Sequence, residues 1–194
     1  MIADTNPFKI ALVGASCSGK TTLFENCRKY YADRNDFLFV EESARPYIKE
    51  QWAKDPNTNI FTLDFQKTIQ DRTLENEKNA HSKSPSVIIC DSTVIDQVVY
   101  TKVSGEKMGA EELFNRIVRW LPSYNIFLMC DPNEVPYVTD GERTMTPQQR
   151  MMLHDTFNEL LQEKNIPFLM ISGNPQQRVE KVHQILRTKN IFQS

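Results

Sequence analysis

Five short apolar runs punctuate the chain, and each has the length of one buried strand. The runs are Lys9 to Val13, Phe37 to Val40, Ser86 to Cys90, Asn125 to Met129 and Pro167 to Ile171. Their apolar positions are nearly continuous rather than alternating, which is typical of strands covered by helices on both faces. The pattern therefore predicts a parallel sheet.

Between these runs lie polar segments whose apolar residues recur every three or four positions, a spacing that predicts helices. The predicted helices cover residues 22–28, 43–54, 64–81, 111–120, 147–164 and a last segment that begins after Asn174. Strands that alternate with helices indicate a three-layer α/β fold with a central, mainly parallel five-stranded sheet. We see no internal repeat or linker, so we expect one domain over residues 1–194, with its core at about 9–187.

The segment from Gly14 to Thr21 matches the phosphate-binding pattern G-x-x-x-x-G-K-[ST] at every fixed position. Glycines allow the backbone to curl with its N–H groups pointing inward, and the helix that follows adds the positive end of its dipole. We expect Lys20 to reach the β- and γ-phosphates of a nucleotide and the Thr21 hydroxyl to ligate Mg²⁺. The predicted nucleotide-binding residues are Gly14, Ala15, Ser16, Cys17, Ser18, Gly19, Lys20, Thr21 and Thr22.

Acidic residues follow two of the predicted strands. Glu41 and Glu42 come directly after the second strand, with Arg45 close behind, and Asp91 comes directly after the third, five residues before Asp96. Ligands of open α/β sheets bind beyond the carboxyl ends of the strands. We therefore predict that Asp91 holds a metal ion and acts in catalysis, and that Glu42 contacts the substrate or acts as base. Each could instead be a solvated loop carboxylate, and Asp96 could cap a helix.

A second group of charged residues lies between the fourth strand and the long helix after it. It consists of Asp140, Gly141, Glu142 and Arg143, with Arg150 farther on. A mobile arginine can meet the negative charge that phosphoryl transfer spreads over the equatorial oxygens. We predict that Arg143 is catalytic and that Arg143 and Arg150 bind the nucleotide; the alternative is a surface hairpin.

Two glutamines one helical turn apart, Gln66 and Gln70, are candidates for a substrate pocket. Their amides could bind a base or a ribose. They could equally be solvated on the outer face of the helix.

Composition narrows the choice of partners. The net charge is −2 at pH 7, so the chain has no general attraction for nucleic acid or anionic lipid. The longest apolar runs are too short to cross a bilayer, and the first seven residues do not resemble a secretory signal. The four cysteines have no C-x-x-C spacing, so we expect free thiols and a cytoplasmic protein. The composition leaves open whether the chain forms a homo-oligomer.

Taken in order, these elements resemble the ribosylnicotinamide kinase domain of NadR-type proteins and the small P-loop ATPases and kinases around it. The resemblance covers residues 9 to 186. It depends on Gly14–Thr22, Glu42–Arg45, Phe65–Gln66, Cys90–Thr93 and Asp140–Arg143, with Gln149–Arg150 beyond. The phosphate-binding loop is common to many families, and the Glu-x-x-Arg and Asp-Gly-x-Arg elements narrow the choice.

The resemblance implies a transfer of the γ-phosphoryl group of ATP, with Mg²⁺, to a hydroxyl of a nucleoside-like acceptor such as nicotinamide riboside. It assigns Lys20 and Thr21 to phosphate and metal, and Asp91 to the acid at the strand end. It implies that Glu42 and Arg45 contact the acceptor and that Arg143 belongs to a lid.

Two alternatives stay open. One is a nucleoside or nucleoside-monophosphate kinase of other specificity. The other is an ATP-binding regulator with weak hydrolysis. A guanine-specific switch is disfavoured, because the chain has neither N-K-x-D nor D-x-x-G.

Overall fold

The computed structural model describes residues 6–136 and 146–192. Its sheet contains the five predicted strands, all parallel, in the order β2-β3-β1-β4-β5. The strands are β1 (Phe8–Val13), β2 (Phe37–Val40), β3 (Val87–Asp91), β4 (Ile126–Cys130) and β5 (Phe168–Ile171). The predicted parallel sheet is confirmed, with each strand within one or two residues of its expected bounds.

Seven α-helices lie in the described part of the chain. They are α1 (Lys20–Tyr30), α2 (Ala44–Lys54), α3 (Leu63–His81), α4 (Asp96–Val103), α5 (Lys107–Ile117), α6 (Pro147–Glu163) and α7 (Pro175–Thr188). The helix predicted over 111–120 has the wrong bounds: α5 begins and ends earlier, and a separate 3₁₀ turn follows at Leu121–Ser123. Pro122 has no backbone N–H to donate to the carbonyl of Val118, so the α-helix does not continue through this segment.

The helices cover both faces of the sheet, which confirms the three-layer arrangement. On one face Ile10 and Leu12 of β1 pack with residues of α1 and α7. On the other face Ala11 and Val13 pack with residues of α4, α5 and α6, while α3 covers β2 and β3. Alternate side chains of one strand thus point into two different cores, which is why β1 reads as a continuous apolar run.

The register of the strands sets where their carboxyl ends meet. Leu12 is opposite Asp91, and Val13 is opposite Met129 on the other side of β1. Val40 pairs with Cys90 at the end of β2. The segments that follow the strands therefore gather at one edge of the sheet, around the loop after β1.

In the described ranges, no helix is both long and apolar enough to cross a bilayer. All four cysteines are thiols rather than disulfides, as predicted. Burial raises the pKa of Cys27 to about 12 and that of Cys130 to about 11. These two thiols therefore stay protonated and unreactive at neutral pH.

Candidate active site

The loop from Gly14 to Thr21, called the phosphate loop below, curls back between β1 and α1. Gly14 and Gly19 have φ values of 131° and 86°, in the region that glycine adopts without strain. A Cβ built on Gly14 would lie 3.1 Å from the carbonyl oxygen of Cys130, and one on Gly19 would lie 3.1 Å from a guanidinium nitrogen of Arg178. Conformation therefore favours glycine at both positions, and a Cβ at either would be crowded.

Lys20 points back over this loop. Its Nζ donates hydrogen bonds to the carbonyl oxygens of Gly14, at 2.6 Å, and Ala15, at 3.0 Å. The ammonium group is thus held inside the loop at the N-terminus of α1, where the helix dipole is also positive. Ser18 is buried at the same turn, and its hydroxyl has no partner within the described ranges. This arrangement presents positive charge and free donors to an anion.

Asp91 lies beside the phosphate loop at the end of β3. Burial raises the pKa of its carboxyl group, and the nearby Lys20 ammonium and Thr21 hydroxyl oppose that shift. In the part of the chain that the structure describes, Oδ1 of Asp91 has no hydrogen-bond partner. A buried carboxylate oxygen without a donor is costly unless a cation or donor arrives.

Asp96 forms a second buried carboxylate at this edge. Its Oδ2 accepts hydrogen bonds from the backbone N–H of Thr93, at 2.8 Å, and from the Thr93 hydroxyl, at 3.1 Å. Burial raises the pKa of Asp96 to about 6, against the charge of Lys20. The N-cap position of α4 is Ile95, so Asp96 is not the cap; it closes the turn that leads from β3 into α4.

The structure distinguishes Glu42 from Glu41. The Glu42 carboxylate accepts a hydrogen bond of 2.9 Å from Arg45, and its charge helps to raise the pKa of Asp91. The Glu41 carboxylate instead pairs with Arg28 on α1 at 2.8 Å, and its side chain is 71% exposed. Glu42 therefore faces the site, whereas Glu41 faces away from it.

These residues fit a nucleotide and a magnesium ion on chemical grounds. The glycines allow the loop to curl tightly, and Lys20 supplies the counter-charge for phosphate. The Thr21 hydroxyl and the unpartnered oxygen of Asp91 are hard oxygen ligands of the kind that Mg²⁺ prefers. In the described ranges the structure shows no cluster of three or more His, Cys, Asp or Glu side chains that would hold a metal with protein ligands alone. Mg²⁺ commonly binds through one or two protein oxygens together with substrate phosphates.

The solvated alternative for Gln66 and Gln70 is wrong, because both side chains are buried. The Gln66 amide donates to the carbonyl oxygen of Ile60 at 2.7 Å. The Gln70 amide donates to the carbonyls of Val94 and Leu113, each at 3.1 Å. These contacts favour a supporting role for Gln70, between α3 and the segment after Asp91, over the predicted contact with substrate.

The predicted lid residues Asp140, Gly141, Glu142 and Arg143 lie outside the described residues. Arg150 is described, at the start of α6, and is buried. Its guanidinium donates to the carbonyl oxygens of Pro132 and, at 2.9 Å, Val135. This favours a supporting role for Arg150 over the predicted direct contact with nucleotide.

Arg178 is not among the residues predicted from the sequence, yet it reaches the back of the phosphate loop. Its Nη1 donates to the carbonyl oxygen of Ser18 at 2.8 Å, although 160 residues separate the two in sequence. A signal was available: the string Pro-Gln-Gln-Arg occurs at both 147–150 and 175–178. The first copy contains Arg150, so the second copy singles out Arg178.

Solved structures of kinases share this fold. A deoxyadenosine kinase from M. mycoides has a TM-score of 0.64 at 18% identity, with 93% of this chain and 100% of that chain covered. A thymidylate kinase from Ehrlichia chaffeensis has a TM-score of 0.67 at 15% identity, covering 94% and 100%. The NadR protein in complex with NAD and AMP-PNP has a TM-score of 0.69 at 17% identity, covering 92% of this chain but 49% of that one.

No curated protein sequence matches the chain. A family model described as an AAA domain matches residues 9–178, a range that includes the phosphate loop and, apart from Phe8, all five strands. The protein therefore belongs to the AAA domain family and has the P-loop fold that the strand, loop and helix around Lys20 predict.

Proposed function

We propose that this protein is a small-molecule kinase that transfers the γ-phosphoryl group of ATP to a hydroxyl of a nucleoside-like acceptor. One observation carries the proposal: the phosphate loop shares its edge of the sheet with two carboxylates, Asp91 at the end of β3 and Glu42 directly beyond the adjacent β2. Phosphoryl transfer needs a cation at the phosphates and a proton acceptor at the attacking hydroxyl. The site contains residues suited to both tasks.

On the donor side, the amides of the phosphate loop and the Lys20 ammonium bind the β- and γ-phosphates. Their positive charge stabilises the negative charge that spreads over the phosphoryl oxygens as the bond to ADP breaks. Thr21 and Asp91 would hold Mg²⁺, which when bound neutralises phosphate charge and orients the leaving group. Arg143 would act from the lid on the same oxygens.

On the acceptor side, Glu42 would accept the proton of the attacking hydroxyl. Its pairing with Arg45 holds the carboxylate in one orientation at 2.9 Å, and the side chain remains partly accessible. A partly accessible carboxylate can exchange a proton with a bound hydroxyl and then with water. Arg45 and Asp96 would complete the acceptor contacts, with Gln66 behind them.

The acceptor that we favour is nicotinamide riboside, which would place the enzyme in NAD metabolism. The support is the Glu42–Arg45 and Cys90–Thr93 pattern together with the fold shared with NadR, one structure of which holds NR. The likeness to a deoxyadenosine kinase and a thymidylate kinase supports the alternative of another nucleoside or nucleotide acceptor. An ATP-binding regulator remains the alternative outside enzymes.

Release of ADP in the presence of ATP and Mg²⁺ tests these choices, with nicotinamide riboside, deoxyadenosine and thymidylate each supplied as acceptor. Stimulation by nicotinamide riboside with formation of its phosphate would establish the favoured acceptor. Stimulation by another compound alone would replace it. Slow hydrolysis that no acceptor stimulates would contradict the kinase and favour the regulator.

Arg143 provides a second test of phosphoryl transfer. If it acts in the transition state, Arg143→Ala lowers kcat more than it lowers ATP affinity. Equal losses in both would show that Arg143 binds the ground state instead.

A further inference from the structure

The helices α6 and α7 begin with the same local structure. In each, a polar residue caps the helix, Pro follows, and a Gln side chain completes a capping box. The caps are Thr146 and Asn174, and the fourth helical residues are Arg150 and Arg178. The two arginines are therefore placed alike, in the first turn of a rigid, well-capped helix.

Both arginines converge on the segment after β4, residues Asp131 to Val135, called the β4 loop below. Arg150 donates to the carbonyls of Pro132 and Val135, and Nη2 of Arg178 donates to the carbonyl of Asp131 at 2.8 Å. Their exposed fractions are only 6% and 3%. Two helices that follow different strands thus hold one loop between them.

Arg178 connects this loop to the phosphate loop. Besides the β4 loop, its guanidinium donates to the carbonyls of Ser18 and Gly173, each at 2.8 Å. The carbonyl of Ser18 and the N–H of Gly19 belong to one planar trans peptide and point in opposite directions. Holding the carbonyl therefore also fixes the direction of the Gly19 N–H.

The β4 loop also contacts the phosphate loop directly. A Cβ on Gly19 would lie 3.3 Å from Cγ2 of Val135, so the Val135 side chain packs against the glycine backbone. Arg150 holds the Val135 carbonyl at 2.9 Å. Arg150 therefore acts on the phosphate loop indirectly, through Val135, whereas Arg178 contacts the loop directly.

The electrostatic setting of the two arginines is unfavourable without an anion. Each lies at the positive end of a helix dipole, and each is buried. Among the ion pairs of residues 6–136 and 146–192, none includes Arg150 or Arg178. The carbonyl oxygens accept hydrogen bonds from both guanidinium groups but carry no charge to balance them, and in the described ranges Nε of Arg150 has no hydrogen-bond partner. A polyphosphate at the phosphate loop would supply the missing negative charge.

We propose that Arg178 and Arg150 are paired positioning residues, which hold the phosphate loop in its binding shape and supply positive charge behind it for a polyphosphate. The inference rests on the proposed function, since it takes the phosphate loop as the site for ATP. It concerns binding of the phosphates only and does not depend on which acceptor is used.

The test compares Arg178→Gln, Arg178→Lys, Arg150→Gln and the double Gln variant with the wild type. Titration calorimetry with Mg²⁺ measures the affinity for ATP, tripolyphosphate and adenosine. Arg187→Gln, an exposed arginine on the same helix α7, is the matched control. Thermal unfolding without ligand reports whether each variant is folded.

For Arg178→Gln we expect ATP and tripolyphosphate to bind about 10- to 100-fold more weakly, by analogy with the loss of outer-shell groups that orient metal ligands. Adenosine binding should change less than about twofold, because adenosine has no phosphate for the charge to attract. Arg178→Lys should remain weaker than the wild type, since one ammonium cannot bridge three carbonyls in a planar fork. The losses in the double variant should be less than additive, because both arginines hold one loop.

Folded Arg178→Gln protein with unchanged ATP affinity would overturn the proposal. So would an equal loss for ATP and adenosine, which is what general damage to the fold produces. Wild-type protein that binds ATP but phosphorylates no acceptor would refute the proposed function and leave this inference standing. Wild-type protein that binds neither ATP nor tripolyphosphate would overturn both.

Discussion

The substitution Asp96→Asn tests whether the negative charge of this buried carboxylate lowers the free energy of unfolding. Burial raises the pKa of Asp96 from 3.8 to about 6. Between these two values the folded state holds a proton that the unfolded state has already released. The free energy of unfolding therefore falls as pH rises from about 4 to about 6 and stays reduced above that window.

The magnitude follows from the difference between the two pKa values. At about 1.4 kcal/mol for each pH unit, the charged form of Asp96 destabilises the folded wild type by about 3 kcal/mol at neutral pH. An Asn in the same place can keep both hydrogen bonds from Thr93, because one oxygen, Oδ2, accepts both. We therefore expect Asp96→Asn to be more stable than the wild type by about 1 kcal/mol at pH 4.5 and by about 3 kcal/mol above pH 7.

Urea unfolding at a series of pH values measures this difference, with Asp155→Asn, at an exposed position on α6, as the control. The control should show no such dependence on pH. An Asp96→Asn variant whose stability relative to the wild type is constant from pH 4.5 to 8 would refute the reasoning. If Asp96 also contacts the acceptor, the stabilised variant should lose acceptor affinity while its affinity for ATP is kept.

Three further substitutions test the phosphate loop and the core. Lys20→Ala should lower turnover by about two to three orders of magnitude, as does the loss of other preorganised donors that stabilise a transition state. A loss of thermal stability without a change in turnover would show that Lys20 is structural. Gly19→Ala should weaken ATP binding at least about tenfold in calorimetry, because alanine is strained at a φ of 86° and its Cβ would lie 3.1 Å from a buried guanidinium. Unchanged affinity would contradict the need for glycine. Glu77→Ala should lower the free energy of unfolding by about 3–5 kcal/mol in urea, since it removes the counter-ion of the buried Lys9 ammonium and the acceptor of the Trp120 indole N–H. A loss below about 1 kcal/mol would show that water replaces the carboxylate.

The strands and the phosphate loop were predictable because each depends only on residues that are neighbours in the sequence. A continuous apolar run such as Lys9 to Val13 indicates a strand buried on both faces wherever it lies in the sheet. Gly14, Gly19 and Lys20 follow a fixed spacing, since the turn needs glycine at those positions and the phosphates need the cation. Neither inference requires knowledge of a distant residue.

Pairs of distant residues could not be predicted, because sequence spacing does not show which side chains meet. Lys9 was read as part of an apolar strand, yet its ammonium is fully buried against Glu77, 68 residues away. Arg178 was read as part of an amphipathic helix, yet it holds the carbonyl of Ser18. A buried charge needs a partner close by, and the packing of the helices on the sheet determines which residue that partner is.

The sequence by itself determined the kind of fold and the place where we predict that an anion binds, because helix and strand periodicity and the turn at Gly14 to Thr21 depend on neighbouring residues. Tertiary structure alone decided that Glu42 rather than Glu41 faces Asp91, since that choice depends on Arg28 drawing Glu41 toward α1. It also placed two arginines from different helices on one loop. Local sequence sets the backbone, whereas the direction of a charged side chain depends on the charges and carbonyls that packing brings to it.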